Sequence, residues 1–302
     1  MNRNVQQHSA SMLPTIALIG VTAVWGSTFF MIKGLLEEIS ALDFLSVRFV
    51  LASVVCAIVM FPKLRKVARR TWLRGLTLGL IYGTAQVFQT VGLKYTDASV
   101  SGFITGMYVV LTPIVLLLLF KVQISPKVWG AVLLATIGIA VLSLTGFAIG
   151  VGEFITFLGS AFYAVHIAFL GKWAKDDDPF MLGIIQVFGI ALLCTLGALP
   201  GGIDLPQSGG SWLALIYMAL VAGLAALVTQ TWAQSKISAT SAAIIMTTEP
   251  VFASLFAILF GGENLTLRLL IGGSLILSAM FLTELTPSKK PEPDGADAAE
   301  TV

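Results

Sequence analysis

The chain has 302 residues, of which 57% are hydrophobic and 11% charged, and a formal net charge of +2. Its mean hydropathy is +0.92. A water-soluble domain of this length has no single core large enough to hide that much apolar surface, so composition excludes a soluble globular protein and makes the lipid bilayer the first partner.

Crossing about 30 Å of hydrocarbon takes about 20 apolar residues in a helix. Runs of that length are predicted at 15–35, 42–61, 73–93, 98–120, 126–145, 152–171, 180–199, 212–233, 238–260 and 267–285. The expected class is an all-α integral membrane protein with ten transmembrane helices. The first run is long enough to be an anchored span, so no cleavable signal is needed. Residues 1–13 read as a cytoplasmic segment, and residues 287–302, rich in Pro, Asp and Glu, as a disordered cytoplasmic tail.

In span 1, Trp25 is followed by Gly26 and Ser27; its ring is suited either to stacking on a planar or apolar substrate or to packing between helices. Span 2 carries Arg48, the only basic residue deep within a span, and Cys56; Cys194 in span 7 matches it. Both thiols are expected to be small hydrophobes, with no disulfide or metal role. Span 3 places Tyr82, Gln86 and Gln89 on one face, and Gly75, Gly79 and Gly83 on a close-packing stripe. In span 4, Ser101, Thr105, Tyr108 and Thr112 recur at i, i+4, i+7 and i+11 and share a face. The two polar faces are expected to line one cavity. Each hydroxyl has the alternative of bonding back to its own helix.

Span 6 carries Tyr163 and His166. The imidazole could accept a proton during transport, or be a neutral hydrogen-bonding group near the helix end. "KDDDP" at 175–179 reads as a solvated turn with Pro179 opening the next helix. It has no second acidic cluster or His partner to complete a metal site, and neither metal nor cofactor is expected. Span 8 carries Thr229, Gln230 and Gln234. In span 9, Glu249 directly precedes Pro250 near the middle of "SAAIIMTTEPVFASLFAILF". A carboxylate there costs about 2.5 to 3.5 kcal/mol on insertion scales. Proline should bend the helix and free the carbonyl of Met246. Three readings of Glu249 are open. It is a protonated structural group bonded to a freed carbonyl, Thr247 or Thr248; or it binds a substrate amine or coupling proton; or it pairs with Arg48, unless Arg48 snorkels to the interface.

With a cytoplasmic amino terminus, fourteen of the 18 Lys and Arg fall in inside loops, Lys33, Lys94 and Arg268 fall outside, and Arg48 lies within a span, as the positive-inside rule requires. The densest basic loop, "PKLRKVARRTWLR" after span 2, corresponds to the uncharged "PGGIDLPQSGGSW" after span 7. The halves overlay at an offset near 140, with Pro113 against Pro250 as candidate hinges. Five spans per repeat, an odd number, forces the copies into opposite orientations. Predicted boundaries are 14–146 and 147–286. Inverted repeats with interrupted helices at equivalent positions characterise secondary transporters, which bind substrate near the midplane.

The stretches "AVWGSTFF", "SVRFVLA", "GLKYTDASVSGFITGMYVVLTP" and "TTEPVFASLFAILFGGENLT" resemble the EamA branch of the drug/metabolite transporter superfamily. The resemblance covers all but the two tails. It implies ten helices, cytoplasmic termini, a place in the cell inner membrane, and export or exchange of small metabolites, often amino acids. One departure is Thr112 in the first repeat where the second has Glu249.

The expected function is therefore secondary transport of a zwitterionic or neutral metabolite, foremost an amino acid, by alternating access. Trp25, Tyr82, Tyr108 and Tyr163 offer aromatic surfaces that favour apolar and aromatic amino acids. Nucleosides, drug-like compounds and nucleotide-sugars are alternatives, although a phosphorylated cargo should need more basic residues near the midplane than Arg48 alone. A lipid-modifying enzyme is the rival of another class; no clustered catalytic groups support it. A nucleic-acid partner is not expected, and oligomeric state is left open. Candidate substrate-binding residues are Trp25, Tyr82, Gln86, Ser101, Thr105, Tyr108, Tyr163, His166, Gln230 and Glu249.

Overall fold

The computed structural model describes residues 3–121, 125–145, 148–236 and 245–284. The expected disordered tail and the first part of predicted span 9 lie outside the described residues. The chain runs as α1 (Arg3–Leu35), α2 (Ala41–Leu64), α3 (Arg69–Leu93), α4 (Ala98–Gly106), α5 (Tyr108–Phe120) and α6 (Pro126–Ser143), then a two-residue antiparallel ladder of Leu144–Thr145 with Ala148–Ile149. Next come α7 (Val151–Trp173), α8 (Pro179–Ala198), α9 (Gly209–Tyr217), a π-helical stretch Met218–Ala225, α10 (Ala226–Lys236), α11 (Glu249–Phe260) and α12 (Leu267–Glu284). α1 begins at Arg3, ahead of the apolar stretch Met12–Leu35 that it contains.

Among the described residues, six helical stretches are long and apolar enough to cross a membrane: Met12–Leu35, Ala41–Leu64, Ala98–Phe120, Val151–Trp173, Pro179–Gly201 and Gly209–Lys236. Three shorter apolar helices, Trp129–Leu142, Glu249–Phe260 and Leu267–Leu282, accompany them. Polar and apolar surface are distributed inside out. Ile58, Leu118, Leu133, Leu196, Leu213 and Leu259, on six different helices, are exposed, whereas Arg48, Gln86, Gln89, His166, Gln186, Gln230 and Glu249 are buried. That arrangement suits hydrocarbon around the perimeter and would expose large apolar patches in water.

The helix contacts follow a pattern. α3 packs on α7 and α8; α1 packs on α10 and α11; α4 packs on α11 and α5 on α7; α2 packs on α8, and α6 on α12. Small residues allow the closest of these approaches. A Cβ on Gly79 of α3 would collide with the Gln186 carbonyl oxygen in α8 and lie 2.8 Å from Gly189 Cα, and one on Gly189 would meet Leu76 O at 2.7 Å. Gly75 and Gly83 flank the same contact, against Ile185 and against Ile190 and Leu193. The glycine stripe of α3 is thus the seat of α8.

Helix starts are set by local polar chemistry. The hydroxyl of Ser40 accepts from Asp43 N at 3.2 Å to cap α2, and Asp178 accepts from Phe180 N at 2.9 Å with Pro179 at the first helical position of α8. The α4 cap comes from a distance: the carboxylate of Glu263, in the turn after α11, accepts from Ala98 N at 2.5 Å and Ser99 N at 3.1 Å. An anion at a helix amino terminus is favoured by the free N–H groups and the macrodipole. At the same end Lys33 donates to Thr96 O and Asp97, and Thr96 donates to Glu153.

At the opposite end, the Asp-rich turn is more than solvated. Arg70 and Arg74 pair with Asp176, and Arg74 also bonds Asp177 at 2.6 Å, where the Thr71 hydroxyl adds a second bond at 2.6 Å. The network ties the start of α3 to the α7–α8 turn. Burial pushes the Asp177 carboxyl up, but the bonds from Thr71 and Arg74 outweigh burial and hold it below the usual carboxylate range.

Two stability predictions rest on these contacts. Gly79→Val should lower the unfolding temperature of the purified protein by several degrees, because overpacking costs about 1 to 3 kcal/mol. Gly20→Ala, which meets nothing within 4 Å, should not lower it. Asp177→Asn should cost about 1 kcal/mol at neutral pH. A depressed folded-state pKa stabilises above the unfolded value of about 3.9 and is lost on acidification through the folded value. The difference in melting temperature between the Asp177→Asn variant and the wild-type protein should therefore shrink below about pH 4; a constant gap would exclude this linkage.

Candidate functional site

The helices enclose a polar cavity at the level where several of them are interrupted. Span 4 is interrupted at Met107, between α4 and α5, and Ser160 of α7 donates to the Thr105 carbonyl there at 3.0 Å. A turn at Thr247–Thr248 precedes α11, and the hydroxyls of Thr22 in α1 and Thr248 share a bond of 2.8 Å. In each place a hydroxyl from another helix reaches the interruption. The third interruption is the π-helical stretch. Its wider turn leaves carbonyls available, and Arg48 Nε donates to Met218 O while Trp25 Nε1 donates to Ala222 O, both at 2.9 Å. Insertions of this kind are frequent at functional sites.

Pro250 lies in the first turn of α11, directly after the interruption at Thr247–Thr248, where a helix needs no N–H from it. Pro113 lies inside α5, and the interruption of that span falls earlier, at Met107.

The cavity is lined by Trp25, Thr28, Phe29 and Ile32 of α1, Arg48 of α2, Tyr82, Gln86 and Gln89 of α3, and Thr105 and Tyr108 of span 4. Tyr163, His166 and Ile167 of α7, Gln230 of α10, Met246 and Glu249 complete it. Every one of these except Ile167 is buried. The space open to the centre of a water-sized sphere is about 30 Å³, enough for a water or two.

Nine of the ten candidate residues read from the sequence therefore meet in one place. Ser101 does not. It is fully buried but lies outside the lining, a turn beyond Thr105, and its hydroxyl has no hydrogen-bond partner. Thr112, on the same predicted face, bonds back to Tyr108 O at 2.7 Å. Thr28, Phe29 and Ile32 were absent from the candidates, yet they follow Trp25 at i+3, i+4 and i+7 and are legible as its helical face.

A hydrogen-bond chain organises the interior. Gln86 Oε1 accepts from Arg48 at 3.4 Å, and Gln86 Nε2 donates to Tyr163 Oη at 2.5 Å. Tyr163 donates to Gln89 Oε1 at 2.8 Å, and Gln89 donates to Thr105 at 3.1 Å. Tyr82, Tyr108 and His166 stand edge-on around this chain: Tyr163 lies 5.1 Å from Tyr82 and 6.1 Å from Tyr108, and His166 lies 5.0 Å from Tyr82. Tyr108 donates to Glu249 Oε2 at 2.7 Å. His166, two turns inside α7 instead of near its end, bonds through Nε2 to Gln186 Oε1 at 2.6 Å.

The two ionisable side chains do not meet. Among the described residues the ion pairs are Lys33–Asp97, Arg70–Asp176, Arg74–Asp176 and Arg74–Asp177, so the pairing of Glu249 with Arg48 is overturned. Snorkelling is overturned too, since Arg48 is 3% exposed. Its guanidinium rests over Phe49 at 4.9 Å and Phe44 at 5.7 Å, and among the described residues no carboxylate is within pairing distance. Glu249 is held by Tyr108, a partner from the other half of the chain that its own helix could not reveal.

Comparison with known proteins decides the family. The profile of the EamA-like transporter family matches residues 12–144 and, a second time, residues 150–285. The chain belongs to the EamA-like transporter family. Two relatives from Archaeoglobus fulgidus are each described as an uncharacterized transporter. One is 32% identical over 271 residues, covering 89% of this chain and 85% of its own. The other is 25% identical over 280 residues, covering 86% and 93%. A protein of known crystal structure shares the fold with a TM-score of 0.65 at 17% identity, covering 92% of this chain and 97% of its own. The Tyr108–Glu249 bond gives this EamA-like transporter a direct link between span 4 and α11. Tyr108→Phe should leave the unfolding temperature within a few degrees of wild type and lower transport about tenfold, the scale of one hydrogen bond to a charged group. Uptake into proteoliposomes measures it, and Glu249→Gln should lower transport by a similar factor.

Proposed function

We propose that this protein is a secondary transporter of small zwitterionic metabolites, foremost an amino-acid exporter working by alternating access. The observation that carries the reading is that one buried guanidinium and one buried carboxyl group line the same cavity without pairing with each other. A buried Arg48 with no counter-anion is costly, and a carboxylate ligand would satisfy it in bidentate fashion. Glu249 supplies the opposite charge for an amine. The aromatic groups between them suit an apolar or aromatic side chain. A phosphorylated cargo fits less well, because Arg48 is the only Lys or Arg in the lining.

On this reading the chain has ten spans in two inverted five-helix repeats, near 14–146 and 147–286, with both termini on the cytoplasmic side of a cell inner membrane. The pattern of helix contacts supports it. Exchanging the first five spans for the last five converts the α3–α7 contact into that of span 8 with α1, and the α5–α7 contact into that of α11 with α1. The pairs α2–α8, α6–α12 and α4–α11 map onto themselves. Rocking of one half against the other would open the cavity to each side in turn.

The test is uptake of labelled amino acids into proteoliposomes, with and without an imposed pH gradient. Saturable uptake of several amino acids is expected, with Arg48→Met reducing it at least tenfold while the protein stays folded. Dependence on the gradient would separate proton coupling from facilitated movement. Absence of uptake for every amino acid would remove the cargo assignment.

A further inference from the structure

We infer that His166, Gln230 and Glu249 form an ammonium pocket whose three acceptors count the N–H donors of the substrate amine. The inference rests on the zwitterion reading above and specifies one end of that site.

Hydrogen-bond accounting leads to it. His166 Nε2 faces Gln186 Oε1, while Gln186 Nε2 is committed to Leu182 O at 3.2 Å. Gln186 Oε1 can only accept, so Nε2 carries the imidazole proton and Nδ1 is a bare acceptor. His166 Nδ1 is buried and has no partner, and the same is true of Gln230 Oε1. Both residues are 1% exposed and both line the cavity. Glu249, on the same lining, uses one oxygen for Tyr108. A buried polar atom left without a partner costs about 1 to 3 kcal/mol. Two such acceptors, on residues of a lining that also carries a carboxyl group, suit a ligand that brings several donors and positive charge. A primary ammonium brings three donors. Arg48, on the same lining, supplies donors for the carboxylate of such a ligand.

The count makes the substrate requirement finer than a net charge. Each N-methyl group removes one donor while leaving the positive charge in place. An amino acid, its N-methyl, N,N-dimethyl and trimethyl forms should therefore bind progressively less well, although all four are zwitterions.

The experiment is inhibition of labelled amino-acid uptake in proteoliposomes by this methylated series, together with the desamino acid. About tenfold weaker inhibition is expected for each donor lost, with little inhibition by the trimethyl form. Gln230→Leu should lower affinity for the free amine and flatten the first step of the series; a melting curve checks that the variant is folded. Should it fail to fold, the wild-type series stands as the test by itself. Equal inhibition by the amine and its trimethyl form would overturn the ammonium pocket, leaving only charge recognition with water on the free acceptors, and the transporter reading would survive. Absence of saturable uptake for any amino acid would overturn the zwitterion reading and the pocket together.

Discussion

The constraint on which the rest of the structure depends is the guanidinium of Arg48 held inside the protein without an anion. A charge removed from water is tolerated only when its surroundings replace the lost hydration. Here the replacement is partial: one backbone carbonyl from the π-helical stretch, one glutamine oxygen, and two phenylalanine faces. Each contribution has a structural cost of its own. The Met218 carbonyl is available because the helix widens there, and Gln86 is oriented because Tyr163 and Gln89 hold its amide. The polar interior is thus one connected system.

The carboxylate at the far side of this system faces the reciprocal constraint. Glu249 is bonded by a tyrosine from span 4, so the interruption of one half of the chain is tied to the beginning of a helix in the other. Hydroxyl bonds of the same kind join α7 to Thr105 and α1 to Thr248. Interrupted backbone at membrane depth is tolerated where protein or water covers it. These bonds provide the cover, and they also make the interruptions sensitive to movement of the opposite half.

Much of this was legible in the sequence, and the reasons differ by feature. The apolar runs and the inside-out polarity follow from composition. The wet faces of α3 and span 4 follow from helical spacing, and Gln86, Gln89, Thr105 and Tyr108 meet where that spacing placed them. Ser101 failed because a stripe has a length as well as a direction: one turn further along, the face is covered by packing. The interruption beside Pro250 falls at Thr247–Thr248, just ahead of the proline, which takes the first turn of α11. The partners of Arg48 and Glu249 were illegible for a stronger reason. Met218 lies 170 residues from Arg48 and Tyr108 lies 141 from Glu249, and no periodicity within a single helix encodes such a pairing.

The separation of the two charges is itself an argument about mechanism. Had Arg48 and Glu249 formed an ion pair, a zwitterion would have to break it, and binding would gain little over the resting protein. On the zwitterion reading, Arg48 and Glu249, which do not pair with each other, are left for a ligand that brings both charges. A ligand with only one charge leaves the other group buried alone. On that reading the site would discriminate by what a wrong ligand leaves unsatisfied, which is the stronger form of selectivity in a buried cavity.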